Sequence, residues 1–360
     1  MILLFAPQAG EAAETPPGRA ARVPPPRALL SVPRPAVPLR DVVRERPSAA
    51  SARIAASASA FGGTGRYPIG DGSEATIAIV ATPACAESCN AADPAAIART
   101  VGTFLHGSEV ESLTIQLDTP FQLSFDCGFD AQACYFGGQD KVILSGDDTP
   151  APDGASREMV LAHEYGHHVA AHRALPAPFP AALNWGTERW ASYEQVCQGH
   201  RAGSFFPNDR GTHYYEDPSE AFAEAFAHLH FPEAEVKWSW TPALRPDAGA
   251  FAAIRRDTLV PWTGRTTFTL SGRVPAGGVV VREFPTPLDG LVSVVPTGQP
   301  RGAYELILRG GAGKALRASR EGASLRPRLD YTVCGESRLR VAIRSTEPIG
   351  APYRLTVQRP

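Results

Sequence analysis

The stretch of residues 161–169 constrains the fold more than any other part of this sequence. It places His163 and His167 four residues apart, with Glu164 directly after the first histidine. Residues four apart share one face of an α-helix, so both imidazoles can bind one cation while the carboxylate lies beside it. Two side chains are too few for a catalytic metal centre, so a second element must pack against this helix and complete the site.

The order His-Glu-x-x-His on a helix is the zinc-peptidase motif, in which the histidines bind Zn²⁺ and the glutamate acts as general base. A catalytic zinc takes three protein ligands and keeps one position for water. A metzincin would carry glycine and histidine at fixed positions after the motif, but Ala170 and Arg173 stand there. The sequence therefore excludes the metzincin subclass and requires a third ligand from elsewhere.

Residues 214–227 predict a second helix that can supply this ligand. Asp217 is a suitable N-cap, and Pro218 suits the first helical position. Glu220 and Glu224 then fall four residues apart on one face. One carboxylate can bind the metal, while the other accepts the free ring N–H of a histidine ligand and fixes its tautomer.

The two motifs resemble those of the gluzincin metallopeptidases, in particular lethal-factor-type toxin proteases, where Glu-x-Phe-Ala-Glu-x-Phe follows the His-Glu-x-x-His helix. The resemblance covers roughly residues 105–230 and is specific at the two motifs. It implies a zincin-like catalytic domain, with a mixed sheet and an active-site helix. It also implies that Glu220 is the third zinc ligand and that Glu224 orients a histidine.

The resemblance further implies the reaction, which is hydrolysis of a peptide bond in a protein or peptide substrate. Glu164 would accept a proton from water that the zinc activates, and would deliver it to the leaving amine. In the lethal-factor-like pattern a tyrosine shortly before the third ligand assists the oxyanion. We select Tyr214, with Tyr215 and His213 as alternatives. Two other functions stay open: a catalytically silent zinc-containing adhesion protein, and a zinc hydrolase of a non-peptide amide.

Several of these residues have plainer interpretations. Glu220 is the third residue after its N-cap and can complete a capping box. Glu188 stands near the distance at which thermolysin-like gluzincins place their third glutamate, but Ser192 replaces the acid expected four residues later. His168 and His172 lie off the ligand face, and we predict that both are solvated surface histidines.

Charge and hydropathy limit the partners. The chain has 35 basic and 37 acidic residues and a net charge of -2, which gives no electrostatic basis for binding nucleic acid or an anionic membrane. No stretch is apolar for long enough to span a bilayer, so we expect no integral membrane segment. Residues 1–6 are apolar but lack the basic residues of a secretory signal, and fit the end of a signal that starts upstream.

The six cysteines favour an oxidising compartment, so we predict a secreted protein or one of the cell envelope. Two pairs lie close in sequence and suggest local disulfides, which leaves a third pair to link two domains by elimination only: Cys85 with Cys89, Cys127 with Cys134, and Cys197 with Cys334. The sequence alone leaves about 15 pairings open.

The sequence divides into three parts. Residues 1–60 are rich in Pro, Ala and Arg and lack any helical or strand period, so we predict a disordered segment. We interpret it as a linker, with a propeptide as the alternative. Residues 61–263 form the predicted metallopeptidase domain. It includes a strand at 141–144, which in peptidases of this class lies at the sheet edge along the cleft and can hold an extended peptide.

Residues 264–360 differ from the rest of the chain. Short alternating stretches are separated by glycine and proline turns, a pattern that predicts an antiparallel β-sandwich. The pattern resembles the jelly-roll domains appended to secreted bacterial peptidases, and a surface or substrate ligand is a candidate partner. The predicted fold class is therefore α+β, followed by an all-β antiparallel sandwich.

Overall fold

A computed structural model of the protein describes residues 65–89, 93–129, 131–147, 154–209, 211–297, 304–311, 313–319, 328–345 and 349–360. These residues form a mixed five-stranded sheet with helices around it, followed by two antiparallel four-stranded sheets. The α+β class and the all-β C-terminal part are therefore as predicted. The segment 1–60, predicted to be disordered, lies outside the described residues.

The mixed sheet has the strand order β1-β2-β3-β5-β4. Its strands are β1 Gly65–Pro68, β2 Thr76–Ala81, β3 Thr114–Asp118, β4 Ala133–Phe136 and β5 Lys141–Ser145. The three inner strands are parallel, and β1 and β4 are antiparallel outer strands. The predicted edge position of the strand at 141–144 is wrong, because the chain turns back at Asp140, in a left-handed conformation, and pairs β4 against the outer side of β5.

The described residues contain eight α-helices: α1 Pro83–Ser88, α2 Pro94–Gly102, α3 Pro120–Asp126, α4 Arg157–Ala171, α5 Glu188–Tyr193, α6 Val196–Ala202, α7 Pro218–His230 and α8 Ala248–Leu259. Helix α4 carries the His-Glu-x-x-His motif, and α7 carries the two glutamates. The Ser156 hydroxyl caps α4, and the Asp217 carboxylate caps α7 with Pro218 in the first helical position. None of these helices is long and apolar enough to cross a membrane.

Helices α4 and α7 touch at Gly166. A Cβ atom added there would lie 2.9 Å from the Cα of Ala223 and 3.1 Å from the Cβ of Phe226. Cβ atoms do not approach backbone atoms this closely without a shift of one element. On α7, Phe222 and Phe226 are fully buried and hold the helix in the core. The glycine therefore permits the close packing that brings the motif histidines near the glutamates.

We predict that Gly166→Ala lowers the free energy of unfolding by about 1–3 kcal/mol, because the added methyl group overpacks the contact between α4 and α7. In an open helix the same change would instead stabilise by about 1 kcal/mol. Urea unfolding of the full chain measures the difference. Gly310→Ala is the control, since a Cβ there meets only ordinary contacts at 3.8 Å. A Gly166→Ala variant as stable as the wild type would contradict this account of the contact.

The central strand β3 carries a buried acid. Asp118 is fully buried, and the Gln116 Nε2 donates to its Oδ1 at 3.0 Å. Burial raises the pKa of Asp118 from its ordinary value of 3.8 to about 6, although the Gln116 hydrogen bond opposes the rise. The folded state therefore holds this proton more tightly than the unfolded state does, and the charged carboxylate is a cost at neutral pH.

Asp118→Asn is expected to raise the free energy of unfolding at pH 7 by up to about 3 kcal/mol, the value that corresponds to the raised pKa. The gain should be absent near pH 4 and should grow as the pH rises from about 4 to about 6, because the wild type alone loses stability in that window. Urea unfolding at a series of pH values measures it. A gain that is constant across the series would contradict the linkage.

The C-terminal strands are β6 Thr266–Val274, β7 Val279–Pro285, β8 Gly290–Pro296, β9 Tyr304–Gly310, β10 Ala315–Ala318, β11 Leu329–Val333, β12 Arg338–Ser345 and β13 Ala351–Arg359. They form two sheets, in the orders β10-β9-β12-β7 and β11-β8-β13-β6. Buried residues of both sheets share one hydrophobic core, separate from that of the preceding residues. This is the predicted antiparallel sandwich.

Three disulfides are present, and they are the pairs that the sequence suggested: Cys85–Cys89, Cys127–Cys134 and Cys197–Cys334. The third joins α6 to the sandwich across 137 residues of sequence. A backbone hydrogen bond from Leu291 N to Ala177 O, at 2.7 Å, adds a second connection between the two cores. These disulfides fit an extracellular protein.

Candidate metal centre

The structure brings together three side chains that the sequence predicted as metal ligands. The Oε2 of Glu220 on α7 lies 3.3 Å from the Nε2 of His163 and 3.6 Å from the Nε2 of His167, both on α4. The glutamate and the first histidine are 57 residues apart in sequence. Glu220 and His167 are each about 5% exposed, and His163 is partly buried.

The separations of these ligand atoms match a tetrahedral zinc site. Bonds of about 2.0–2.1 Å at tetrahedral angles place neighbouring ligand atoms about 3.3 Å apart. The two measured separations are 3.3 and 3.6 Å, and all three atoms lie within 4.8 Å of one another. Two imidazoles and one carboxylate are also a donor set that zinc accepts, so the residues fit the ion in both chemistry and geometry.

Glu224 holds one of the histidines in place. Its Oε2 lies 2.9 Å from the Nδ1 of His163, and its Oε1 lies 3.2 Å from the Nε2 of His228. A carboxylate can only accept, so the hydrogen bond requires a proton on Nδ1 of His163. The lone pair of the neutral ring is then on Nε2, the atom that faces Glu220.

The surroundings of both glutamates lower their pKa values, which favours the ionised forms at neutral pH. Burial raises the pKa of Glu220, but the charge of His167 and the hydrogen bond from His163, both of which belong to the protonated rings, together hold it well below its ordinary value. Burial also raises the pKa of Glu224, but hydrogen bonds with His163 and His228 bring it down to about 2. An ionised Glu220 is the form that binds a cation, and an ionised Glu224 is the form that accepts from a ligand histidine.

Glu164 and the ligands open onto one cleft. The cleft has a volume of about 540 Å³, and its lining includes the two histidines and both glutamates of α7. Glu164 itself is 8% exposed and lies in the same wall. The lining also includes residues of the outer strand β4, and Val236 and Trp240. A bound molecule would therefore meet the carboxylate and the candidate metal ligands together.

The structure distinguishes the three residues that the sequence offered as oxyanion donors. Tyr214 lines the cleft, and its hydroxyl donates to Glu220 Oε2 at 3.2 Å. The side chain of Tyr215 is 58% exposed, and the ring of His213 stacks on Phe206 with ring centroids 3.7 Å apart. Neither of the latter two lines the cleft. Of the three, Tyr214 is therefore the residue placed beside the candidate ligands.

The surroundings of Glu220 and Glu188 bear on the two alternative interpretations of these glutamates, a helix cap and a third ligand. Asp217 caps α7 by accepting from Ser219 N at 2.9 Å, while the Glu220 carboxylate is directed towards the histidines. Glu188 lies on α5 and accepts from Trp262 N at 2.6 Å and Arg189 Nη1 at 2.9 Å. Among the described residues, the histidine pair groups with Glu220 and not with Glu188.

The prediction of two solvated histidines after the motif is wrong for His168, which is fully buried. Its Nε2 lies 2.8 Å from the backbone oxygen of Glu109, and its Nδ1 lies 3.1 Å from the Tyr135 hydroxyl. The mixed sheet covers this face of α4, which a local sequence pattern does not reveal. His172 is exposed, as predicted.

The sequence did not predict two features that line the cleft, Trp240 and strand β4. The ring of Trp240 lies 5.7 Å from that of His163, at an angle of 31°, and closes one side of the site. The pair of tryptophans at 238 and 240, in a stretch without helical or strand character, was the available signal. The strand β4 was missed because it is short and ends the loop that contains Cys127 and Cys134.

No protein-family model matches this chain, and no curated protein matches it. Solved structures give only weak similarities. The Yersinia pseudotuberculosis-derived mitogen is 15% identical over 26% of this chain and 86% of that chain, with a TM-score of 0.21. The pre-peptidase C-terminal domain of collagenase from Bacillus anthracis is 8% identical over 25% and 88%, with a TM-score of 0.20. Similarities with such TM-scores carry no argument about fold or function.

Proposed function

We propose that this protein is a zinc-dependent endopeptidase in which His163, His167 and Glu220 hold the metal and Glu164 is the general base. The observation that carries the proposal is the convergence of Glu220 Oε2 on the Nε2 atoms of both histidines, at 3.3 and 3.6 Å, in a cleft that Glu164 also lines. Zn²⁺ supplies Lewis acidity at such a site and lowers the pKa of water.

The remaining steps belong to residues of the chain. Glu164 accepts a proton from the attacking water and delivers it to the amine that leaves, as a general base and then a general acid. Glu164 follows His163 directly on α4, so it lies next to the metal ligands and does not itself bind the metal. Glu224 keeps the proton of His163 on Nδ1, so that Nε2 stays available.

Tyr214 is the proposed donor to the carbonyl oxygen of the substrate, which gains negative charge as water adds. A hydrogen bond to that oxygen stabilises the transition state more than the substrate, and such a donor contributes about 10²–10³ to kcat. The tyrosine hydroxyl now donates to Glu220 Oε2 at 3.2 Å. It would therefore exchange this partner for the substrate oxygen during the reaction.

We propose an extended peptide as the substrate. Strand β4 is an outer strand of the sheet, paired to β5 on one side only, and Ala133, Cys134 and Tyr135 of this strand line the cleft. The free backbone groups of such a strand can pair with an extended chain, which presents successive residues to the cleft. An unfolded polypeptide can adopt this extended conformation.

The arrangement supports the gluzincin-type assignment, since the third ligand is a glutamate on a second helix with an acidic partner four residues later. We also propose that the protein acts outside the cell or in the cell envelope. The disulfides support this proposal because they need an oxidising compartment.

Removing the metal tests the proposal. We expect the purified chain to cleave a reduced and alkylated unfolded protein, to lose all cleavage after dialysis against a zinc chelator, and to regain it on addition of zinc. Gel electrophoresis and mass spectrometry of the fragments measure cleavage. Circular dichroism of the dialysed protein is the control for folding. Cleavage that survives complete removal of zinc, or no cleavage of any peptide bond by the zinc-loaded protein, would contradict the proposed function.

A further inference from the structure

Helix α4 carries a second pair of histidines. His168 and His172 are also four residues apart, and they follow the first pair at an offset of five residues. Five residues correspond to a rotation of about 140° around a helix, so this pair faces away from the cleft. Asp140, in the turn between β4 and β5, meets it there. The three ligand atoms lie within 4.8 Å of one another.

A hydrogen bond to the backbone fixes the orientation of the His168 ring. Its Nε2 lies 2.8 Å from the backbone oxygen of Glu109. A carbonyl oxygen can only accept, so Nε2 carries the ring proton and Nδ1 presents its lone pair to the cluster. Metal-binding histidines are held in the same way, with the second ring nitrogen donating to a carbonyl or carboxylate. His163 has this arrangement with Glu224 in the first site.

The other two side chains lie nearer the surface. The Nε2 of His172 is 3.0 Å from the Oδ1 of Asp140, and the Nδ1 of His168 is 4.0 Å from the same oxygen. The side chains of His172 and Asp140 are 30% and 32% exposed, so solvent reaches one side of the cluster. The Tyr135 hydroxyl lies 3.1 Å from His168 Nδ1 and 3.2 Å from Asp140 Oδ1, and has one proton for these two acceptors.

We propose that Asp140, His168 and His172 form a second binding site, specific for a divalent transition cation such as Zn²⁺ or Co²⁺. Two imidazoles with one carboxylate suit these cations, whereas Ca²⁺ and Mg²⁺ prefer sites built from oxygen ligands. Tetrahedral coordination places ligand atoms about 3.3 Å apart. The separations of 3.0 and 4.0 Å bracket that value, and the two partly exposed side chains can adjust.

A cation in this second site would join the C-terminal end of α4 to the turn that precedes β5. Tyr135, which contacts the cluster, belongs to β4, the strand that bounds the cleft. The second site therefore ties the helix that carries the motif histidines to the strand at the edge of the cleft. Its ligands are different residues from those of the proposed catalytic site, so the two proposals can fail independently.

Zinc content after equilibrium dialysis against excess Zn²⁺ tests the second site. We expect two ions per chain in the wild type, and one in Asp140→Asn, in His172→Ala and in His163→Ala. Asparagine tolerates the left-handed backbone of residue 140, so this variant removes the charge without disturbing the helix. His106→Ala is the matched control and should keep two, because His106 pairs with Asp71 at 3.3 Å but belongs to no three-ligand group of the described residues.

The possible outcomes test the second site and the proposed catalytic site separately. One ion fewer in Asp140→Asn and His172→Ala than in the wild type supports the second site, whatever happens in His163→Ala. Unchanged zinc in His163→Ala would count against the proposed catalytic site alone. Wild-type zinc content in both Asp140→Asn and His172→Ala would overturn the second site and leave the cluster as a hydrogen-bond network.

Discussion

Glu164→Gln is expected to bind zinc as the wild type does and to lose about 10²–10⁴-fold in kcat for cleavage of unfolded protein. Glutamine has nearly the same shape as glutamate but cannot accept a proton at neutral pH. The carboxylate lies in the cleft wall and is absent from the converging ligand set, so its replacement should leave the metal in place. Zinc analysis and fragment formation, measured on the same sample, give both results.

Glu158→Gln is the matched control for this substitution. Glu158 lies in the first turn of the same helix, with a side chain 40% exposed, and does not line the cleft. We expect this variant to retain full activity. Activity of Glu164→Gln close to that of the wild type would remove the general base from the mechanism, and zinc loss in Glu164→Gln would show that the carboxylate supports the metal instead.

Glu220→Gln is expected to lose the zinc ion held by His163 and His167. An amide cannot supply the negative charge of the third ligand, and the fall in affinity should exceed the roughly 10–100-fold seen when a residue that only orients a ligand is changed. Glu220 is about 5% exposed, and its carboxylate faces both histidines. Competition with a chromogenic zinc chelator measures the affinity.

Glu188→Gln is the matched control, because Glu188 was the alternative third ligand in the sequence. Its carboxylate instead accepts from the backbone of Trp262 and from Arg189. We expect this variant to keep the wild-type zinc affinity. If Glu188→Gln loses zinc and Glu220→Gln keeps it, the assignment of the third ligand is wrong and the two helices do not form the metal site.

The features that the sequence predicted correctly depend on short spacings. The four-residue intervals in α4 and α7 determine which side chains share a face, and the Asp217 cap and Pro218 determine where α7 begins. The intervals of four and seven residues between the cysteines likewise suggested two disulfides, and the structure contains both. Such features need no knowledge of distant contacts, because the backbone geometry of a few residues is sufficient.

The features that the sequence did not predict depend on contacts between distant residues. The burial of His168 requires the backbone of Glu109, 59 residues earlier. The edge position of β4 requires the reversal at Asp140, and the strand itself is only four residues long. The position of Trp240 at the cleft requires a ring contact with His163, 77 residues earlier. Hydrophobic periodicity carries no information about these long-range contacts.

The most direct test of the metal centre is a crystal structure of the protein with zinc, with an anomalous difference map recorded at the zinc absorption edge. We predict a peak within about 2.0–2.2 Å of Nε2 of His163, Nε2 of His167 and a carboxylate oxygen of Glu220. A map without a peak between these three side chains, or with a peak that Glu220 does not contact, would contradict the central claim.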